Sequence, residues 1–266
     1  MPQRDRLDVV LVSPRNPLNI GAVARAMANF GFRHLSVVAP YEEHWREAKS
    51  AVGASDLLRD AKRTESLVEA VAECTLVIGT GTVAHRKLEQ TVIPLPELTT
   101  LFDAELARGG RAALIFGPEK RGLTREDLAQ CHVLVEIPTD PRQPSMNLGQ
   151  AVAVCLYELA ARGKIGDQPR EENAAGMEHA NPAEDHAAPA STADPACARD
   201  LELLAAVVAE TMQAANYSPA AMRKANDHDL QLLLRRLALR RPDARRILGL
   251  FRRILWRLKH QIGLKD

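Results

Sequence analysis

The chain has 266 residues, 46% hydrophobic and 26% charged, with a formal net charge of +1. That length holds one sizeable core and a small second domain, and no apolar run approaches a membrane span. Cys74, Cys131, Cys155 and Cys197 show no CxxC spacing, which argues against a disulfide framework or a zinc site and for reduced, mostly buried thiols in a cytoplasmic protein.

The N-terminal apolar run is short and interrupted by charge, unlike a signal peptide. Residues 8–12 are apolar and β-branched and predict a buried strand. After a proline-broken loop, Asn19 is placed to cap a helix with Ile20, Val23, Ala24, Met27 and Phe30 on its apolar face and Gly31 at its end. Gly21 sits in the first turn, where the missing Cβ permits close backbone approach. Arg25 lies one turn further on the same side; taken alone, a helix arginine is a solvated charge. Residues 34–39 predict a second strand, so the chain starts βαβ and a parallel sheet is expected.

Gly53-Ala54-Ser55-Asp56 reads as a turn, residues 64–72 as a short helix and residues 76–80 as a strand. That strand runs into Gly79-Thr80-Gly81-Thr82, at the end where open α/β sheets bind ligands, although the loop lacks GxGxxG spacing. His85-Arg86-Lys87 follows and reads as a solvated loop.

Residues 112–116 predict a fourth strand, followed by Gly117-Pro118-Glu119-Lys120-Arg121-Gly122-Leu123. Two glycines and a proline framing an acid and two bases suit an active-site loop better than a structural turn. Thr124 starts a short helix with a capping-box pattern ending at Asp127. The fifth strand, residues 133–137, enters a loop stiffened by Pro138, Pro141 and Pro144. Asn147 then caps a helix with Leu148, Ala151, Val152, Cys155, Leu156 and Leu159 at helical spacing, and Gly163 is placed to close it.

Composition changes at residues 166–199, rich in alanine, proline and acids and poor in aliphatics, which predicts a flexible acidic linker. Residues 200–266 predict three helices, 201–215, 220–239 and 243–262, carrying thirteen basic residues against seven acids. A basic helical module suits contact with a polyphosphate backbone, though such arginines also serve as solvated faces. Trp256 fits a core position, a dimer contact or a base-stacking site.

Three stretches together resemble the motifs of the SPOUT-class RNA 2′-O-ribose methyltransferases: Asn19-Ile-Gly21-Ala-Val-Ala-Arg25, Phe116-Gly117-Pro-Glu119-Lys-Arg-Gly122-Leu123 and Ser145-Met-Asn147-Leu148-Gly-Gln-Ala151. The resemblance covers residues 7 to about 162 and is nearest to the TrmJ subfamily, which shares the turn at Gly53–Asp56 and an appended helical domain. It implies an α/β fold with a deep trefoil knot and a mostly parallel sheet, plus a small all-α C-terminal domain. The domains would be a catalytic unit (1–165), the linker (166–199) and a basic RNA-binding unit (200–266). The cofactor implied is S-adenosylmethionine, and the partners are transfer RNA and a second copy of the chain that completes the active site. No metal is implied.

Carried over by motif, Arg25, Asn19, Glu119, Ser145 and Asn147 would be catalytic. Thr80, Gly81, Thr82, Gly117, Ile137, Ser145, Met146 and Leu148 would hold the cofactor. The substrate implied is a cytidine or uridine ribose at the first nucleotide of the tRNA anticodon loop; ribosomal RNA and a non-catalytic RNA-binding role are the alternatives. The loop after Thr80 departs from the serine- and arginine-rich stretch more usual in the family. A Rossmann oxidoreductase would need GxGxxG after the first strand, where this chain has Ser13-Pro14-Arg15-Asn16-Pro17.

Overall fold

The computed structural model describes residues 4–81, 89–162, 194–217 and 219–262. The strands are β1 (Leu7–Val12), β2 (His34–Val38), β3 (Lys62–Thr64), β4 (Leu76–Thr80), β5 (Thr91–Pro94), β6 (Ala112–Phe116) and β7 (Val133–Glu136). The helices are α1 (Pro17–Phe30), α2 (Ser55–Asp60), α3 (Leu67–Ala70), α4 (Leu98–Ala107), α5 (Arg125–Ala129), α6 (Leu148–Arg162), α7 (Ala198–Ala214), α8 (Arg223–Arg236) and α9 (Arg241–Ile262).

The strands form one sheet in the order β3-β2-β1-β6-β4-β7-β5, with every pairing parallel. Parallel neighbours need crossovers, and the crossovers clothe both faces of the sheet. Leu7, Val9, Leu11, Ile78, Leu114 and Val135 accordingly enter one core, beneath α1, α2, α4 and α6. Val10, Val12, Val77, Ile115 and Leu134 enter the other, with residues of α3 and α5 and with Ala198 at the start of α7. All four cysteines are free and buried.

Local structure departs from the sequence expectations at several places. Asn16, rather than Asn19, caps α1, its side chain accepting the Leu18 amide at 2.9 Å. Pro17 supplies the first helical residue, where a missing N–H costs nothing, so the cap falls on Asn16, three residues before Asn19, and the Asn19 side chain is left for other work. Gly31 closes α1 in the left-handed region, at φ 73°, as expected. The segment read as one helix at 64–72 is split: Lys62–Thr64 pairs with β2, and α3 begins only after its Ser66 cap. The Gly53 turn leads straight into α2. Two elements without a strong periodic signal, β5 and α4, complete one edge of the sheet and its cover. Thr82, the basic run 85–87 and Gly163 lie outside the described residues.

Of the stretch read as linker, residues 166–193 also lie outside the described residues. Its last six residues are tied to the folded protein, with Ala196, Cys197 and Ala198 buried. Ala198 N donates to Cys74 O at 2.8 Å and Arg199 N to Ala72 O at 3.0 Å, while Pro195 bridges Arg240. Leu204, Ala205, Val208 and Leu234 then form a separate small core with Ile247, Leu248 and Phe251.

The C-terminal helices dock against α5 through polar contacts. Arg235, 3% exposed, donates through Nε to Gln130 O at 3.0 Å and also bonds the Gln130 side chain. Arg125 donates to His228 Nε2 at 3.1 Å and pairs with Glu89 at 2.8 Å. Lys224 approaches Glu126 at 3.3 Å.

Candidate active site

Because the sheet is parallel, the loops after β1, β4, β6 and β7 all leave from its C-terminal edge. Glu119, in the loop after β6, reaches the loop after β1. It accepts the Arg15 amide at 3.1 Å, the Asn16 amide at 3.2 Å and Asn19 Nδ2 at 2.8 Å. Burial pushes this carboxyl up, but the bonds from Asn19 and from the amides of Glu119, Arg15 and Asn16 outweigh it and leave the group below the usual carboxylate range. A side chain so held is an ionised acceptor at neutral pH.

Asn19 passes the connection on. Its Oδ1 accepts from Asn147 Nδ2 at 3.0 Å, and Asn147 Oδ1 in turn accepts the Gly149 amide at 2.9 Å, capping α6. Each amide side chain is therefore oriented by its neighbours. The sequence Glu119–Asn19–Asn147 ties the loops after β6, β1 and β7 into one unit.

Two glycines let those loops close. A Cβ on Gly117 would lie 2.3 Å from Gly122 C and Leu123 N, so the 117–123 loop folds back on itself there. A Cβ on Gly149 would lie 2.8 Å from Ala22 Cβ, where α6 crosses α1. At Gly21 the close approach comes from Ser50 and Ala51, within the protein, rather than from open space at the edge. Ser50 Oγ also donates to Leu18 O at 2.7 Å.

Beside this network lies a cleft of about 710 Å³, walled by the loops after β4, β6 and β7. Thr80, Gly81, Gly117, Ile137, Ser145, Met146 and Leu148 all line it, as does Glu119. Thr80 Oγ1 donates to Ile115 O at 2.8 Å, leaving its lone pairs for an incoming donor. A Cβ on Gly81 would meet nothing within 4 Å, so this position opens directly onto the cleft. The proline loop carries its own brace, with Arg142 bonding both carboxylate oxygens of Asp140 at 3.0 and 2.8 Å.

Asn19 and Asn147 stand behind the cleft rather than in its lining, and Arg25 is exposed on α1 without a hydrogen bond or ion pair among the described residues. Lys120, one of the two bases in the 117–123 loop, lines the cleft, and so does Glu136, which was not singled out. Glu136 had a readable signal, as the first charged residue at the end of an apolar strand. Among the described residues no cluster of His, Cys, Asp and Glu could hold a metal ion.

A family model described as the SpoU rRNA methylase family matches residues 6–157. A Pseudomonas aeruginosa tRNA (cytidine/uridine/adenosine-2′-O-)-methyltransferase, TrmJ, is 40% identical over 60% of this chain and 64% of its own. A Methanocaldococcus jannaschii tRNA (cytidine-2′-O-)-methyltransferase, TrmJ, is 38% identical over 58% of this chain and 66% of its own. The match thus spans just under two thirds of these curated relatives. The crystal structure of TrmJ from Z. mobilis ZM4 superposes with a TM-score of 0.76 at 25% identity, covering 93% of this chain and 98% of that one.

Proposed function

The chain belongs to the SpoU rRNA methylase family, and from that premise we propose that it transfers a methyl group from S-adenosylmethionine to a ribose 2′-hydroxyl of transfer RNA. The nucleotide proposed is a cytidine or uridine in the anticodon loop, at its first position. The observation that carries this reading is the hydrogen-bonded sequence Glu119–Asn19–Asn147 beside the cleft.

The cleft suits the cofactor. Ile137, Met146 and Leu148 offer apolar surface to an adenine and a thioether chain, Gly81 leaves room, and Thr80 keeps an acceptor free. S-adenosylmethionine supplies an electrophilic methyl group when bound. The chain's own residues supply position and charge. Ser145, exposed on the cleft wall, is placed to orient the ribose, and Asn147 fixes the start of α6 beneath it. Glu119 orients Asn19 and, through it, Asn147. Arg25, through its guanidinium, acts by stabilising the alkoxide that develops on the 2′-oxygen.

Arg25 does not line the cleft of its own chain, which supports a homodimer in which each copy completes the site of the other. The α1/α6 side offers exposed Leu18 and Tyr157 for that contact. β4 lies between the later strands β6 and β7, and α6 then turns back to pack on α1 and α4; this return supports the trefoil knot. The domain reading remains a catalytic unit (1–165), an acidic connection (166–199) and a basic RNA-binding unit (200–266). No helix among the described residues is long and apolar enough to cross a membrane, which fits action on cytoplasmic tRNA.

The test is methyl transfer from labelled S-adenosylmethionine to unmodified tRNA, with the product mapped for 2′-O-methyl nucleosides. Label at one anticodon-loop ribose, abolished in Arg25→Ala and strongly reduced in Asn147→Ala, is the expected result. Label confined to ribosomal RNA would replace the substrate, and cofactor binding without transfer to any RNA would replace the activity.

A further inference from the structure

The last helix carries a face that nothing among the described residues covers. Ala244, Ile247, Leu248 and Phe251 of α9 pack into the C-terminal cores. At 3.6 residues per turn the opposite side presents Arg246, Gly249, Arg253, Trp256, Arg257 and His260. Arg253 and Arg257, with Arg245 and Arg252 beside them, are exposed and make no hydrogen bond or ion pair among the described residues. Trp256 is 59% exposed, and the His260 ring lies 4.2 Å from it, tilted by 30°. His260 Nδ1 donates to the Trp256 carbonyl at 2.8 Å, which fixes the imidazole against the indole. A Cβ on Gly249 would meet nothing within 4 Å, so the face is open about two turns before the ring pair.

We propose that this face of α9 binds unpaired nucleotides of the RNA substrate, a base stacking on the Trp256–His260 pair while Arg253 and Arg257 take the flanking phosphates. The proposal rests on the RNA reading above and names the surface that captures the RNA outside the cleft. An exposed aromatic among unpaired guanidinium groups matches a ligand that is both flat and anionic, as single-stranded nucleic acid is. A second copy of the chain is the poorer occupant, because a two-fold contact would set this cationic face against itself.

The experiment measures binding of unmodified tRNA to the full chain at several salt concentrations, with melting temperature as the folding control. Trp256→Ala is expected to weaken binding roughly tenfold, and Trp256→Phe to recover most of the loss. The double variant Arg253→Gln/Arg257→Gln should flatten the plot of log affinity against log salt by about 1.4, the effect of two phosphate contacts on a single strand. Wild-type affinity in every variant would overturn the proposal, as would equal loss in Trp256→Ala and Trp256→Phe or a change of oligomeric state on substitution. The two readings separate cleanly. Methyl transfer with variant-insensitive tRNA affinity would sink this surface alone, whereas stacking-dependent tRNA binding without methyl transfer would sustain it and remove the activity.

Discussion

Glu119 accepts three hydrogen bonds, two from backbone amides of the loop after β1 and one from Asn19 in the first turn of α1. Glu119→Ala leaves those donors to water, and since the site is partly open the expected cost is about 1–2 kcal/mol, read from denaturant melts. Its carboxyl is held below the usual range, so the contribution is full above the unfolded carboxyl's pKa and is lost only as pH falls through the lower folded value. Gly81 tests the neighbouring space. An added Cβ clashes with nothing, so Gly81→Ala should melt within about 0.5 kcal/mol of wild type while weakening S-adenosylmethionine binding. Calorimetric titration showing unchanged affinity would move the cofactor away from this wall.

At the scale of elements, α1 and α6 meet at Ala22 and Gly149, and that crossing sets Asn147 beside Asn19. Among the contacts that place α8, one is made by a buried cation, Arg235. Burial lowers the Arg235 pKa, Glu202 stands 4.0 Å away, and its Nη1 has no partner among the described residues. Arg235→Ala removes a large buried side chain and leaves Gln130 O unbonded, for an expected loss of roughly 2–4 kcal/mol. Arg235→Met fills much of the same volume without burying a charge and should lose less than half of that. Equal losses in the two variants would show that the guanidinium bonds, rather than packing, hold α8 in place.

For the whole molecule, the C-terminal helices are docked on the α/β unit rather than merely tethered to it, with Ala198 in the second core and Arg235 against Gln130. His132 lies in this region. Burial, and then the nearby Arg235, push its imidazole down to about 3, and its Nδ1 accepts the Val77 amide at 3.0 Å, a bond only the neutral ring can make. A histidine lowered on folding contributes fully above its unfolded pKa of about 6.5 and loses that contribution as pH falls toward 3. Stability should therefore fall by about 1–2 kcal/mol between pH 7 and 5 on this account. His132→Asn, which keeps an acceptor for Val77, should lose less over that interval; an equal loss would remove His132 from the acid response.

The chain itself dictated much of this design. Five of the seven strands are short apolar, β-branched runs whose burial on both faces leaves few other conformations, and Gly31 and Thr124 end and begin helices by local chemistry alone. The three motif loops were likewise readable as chemistry placed at strand ends. Other features needed the fold. β3 and β5 are edge strands of three and four residues, specified by their neighbours more than by their own sequences. Asn19 looked like a cap until Pro17 moved the cap to Asn16, and its bonds to Glu119 and Asn147 join residues 100 and 128 positions away. Trp256 had three possible settings by spacing, and helix packing left it in solvent. Local sequence fixes what a residue can do through its immediate neighbours, while partners a hundred residues away are chosen only when the sheet closes and its helices pack.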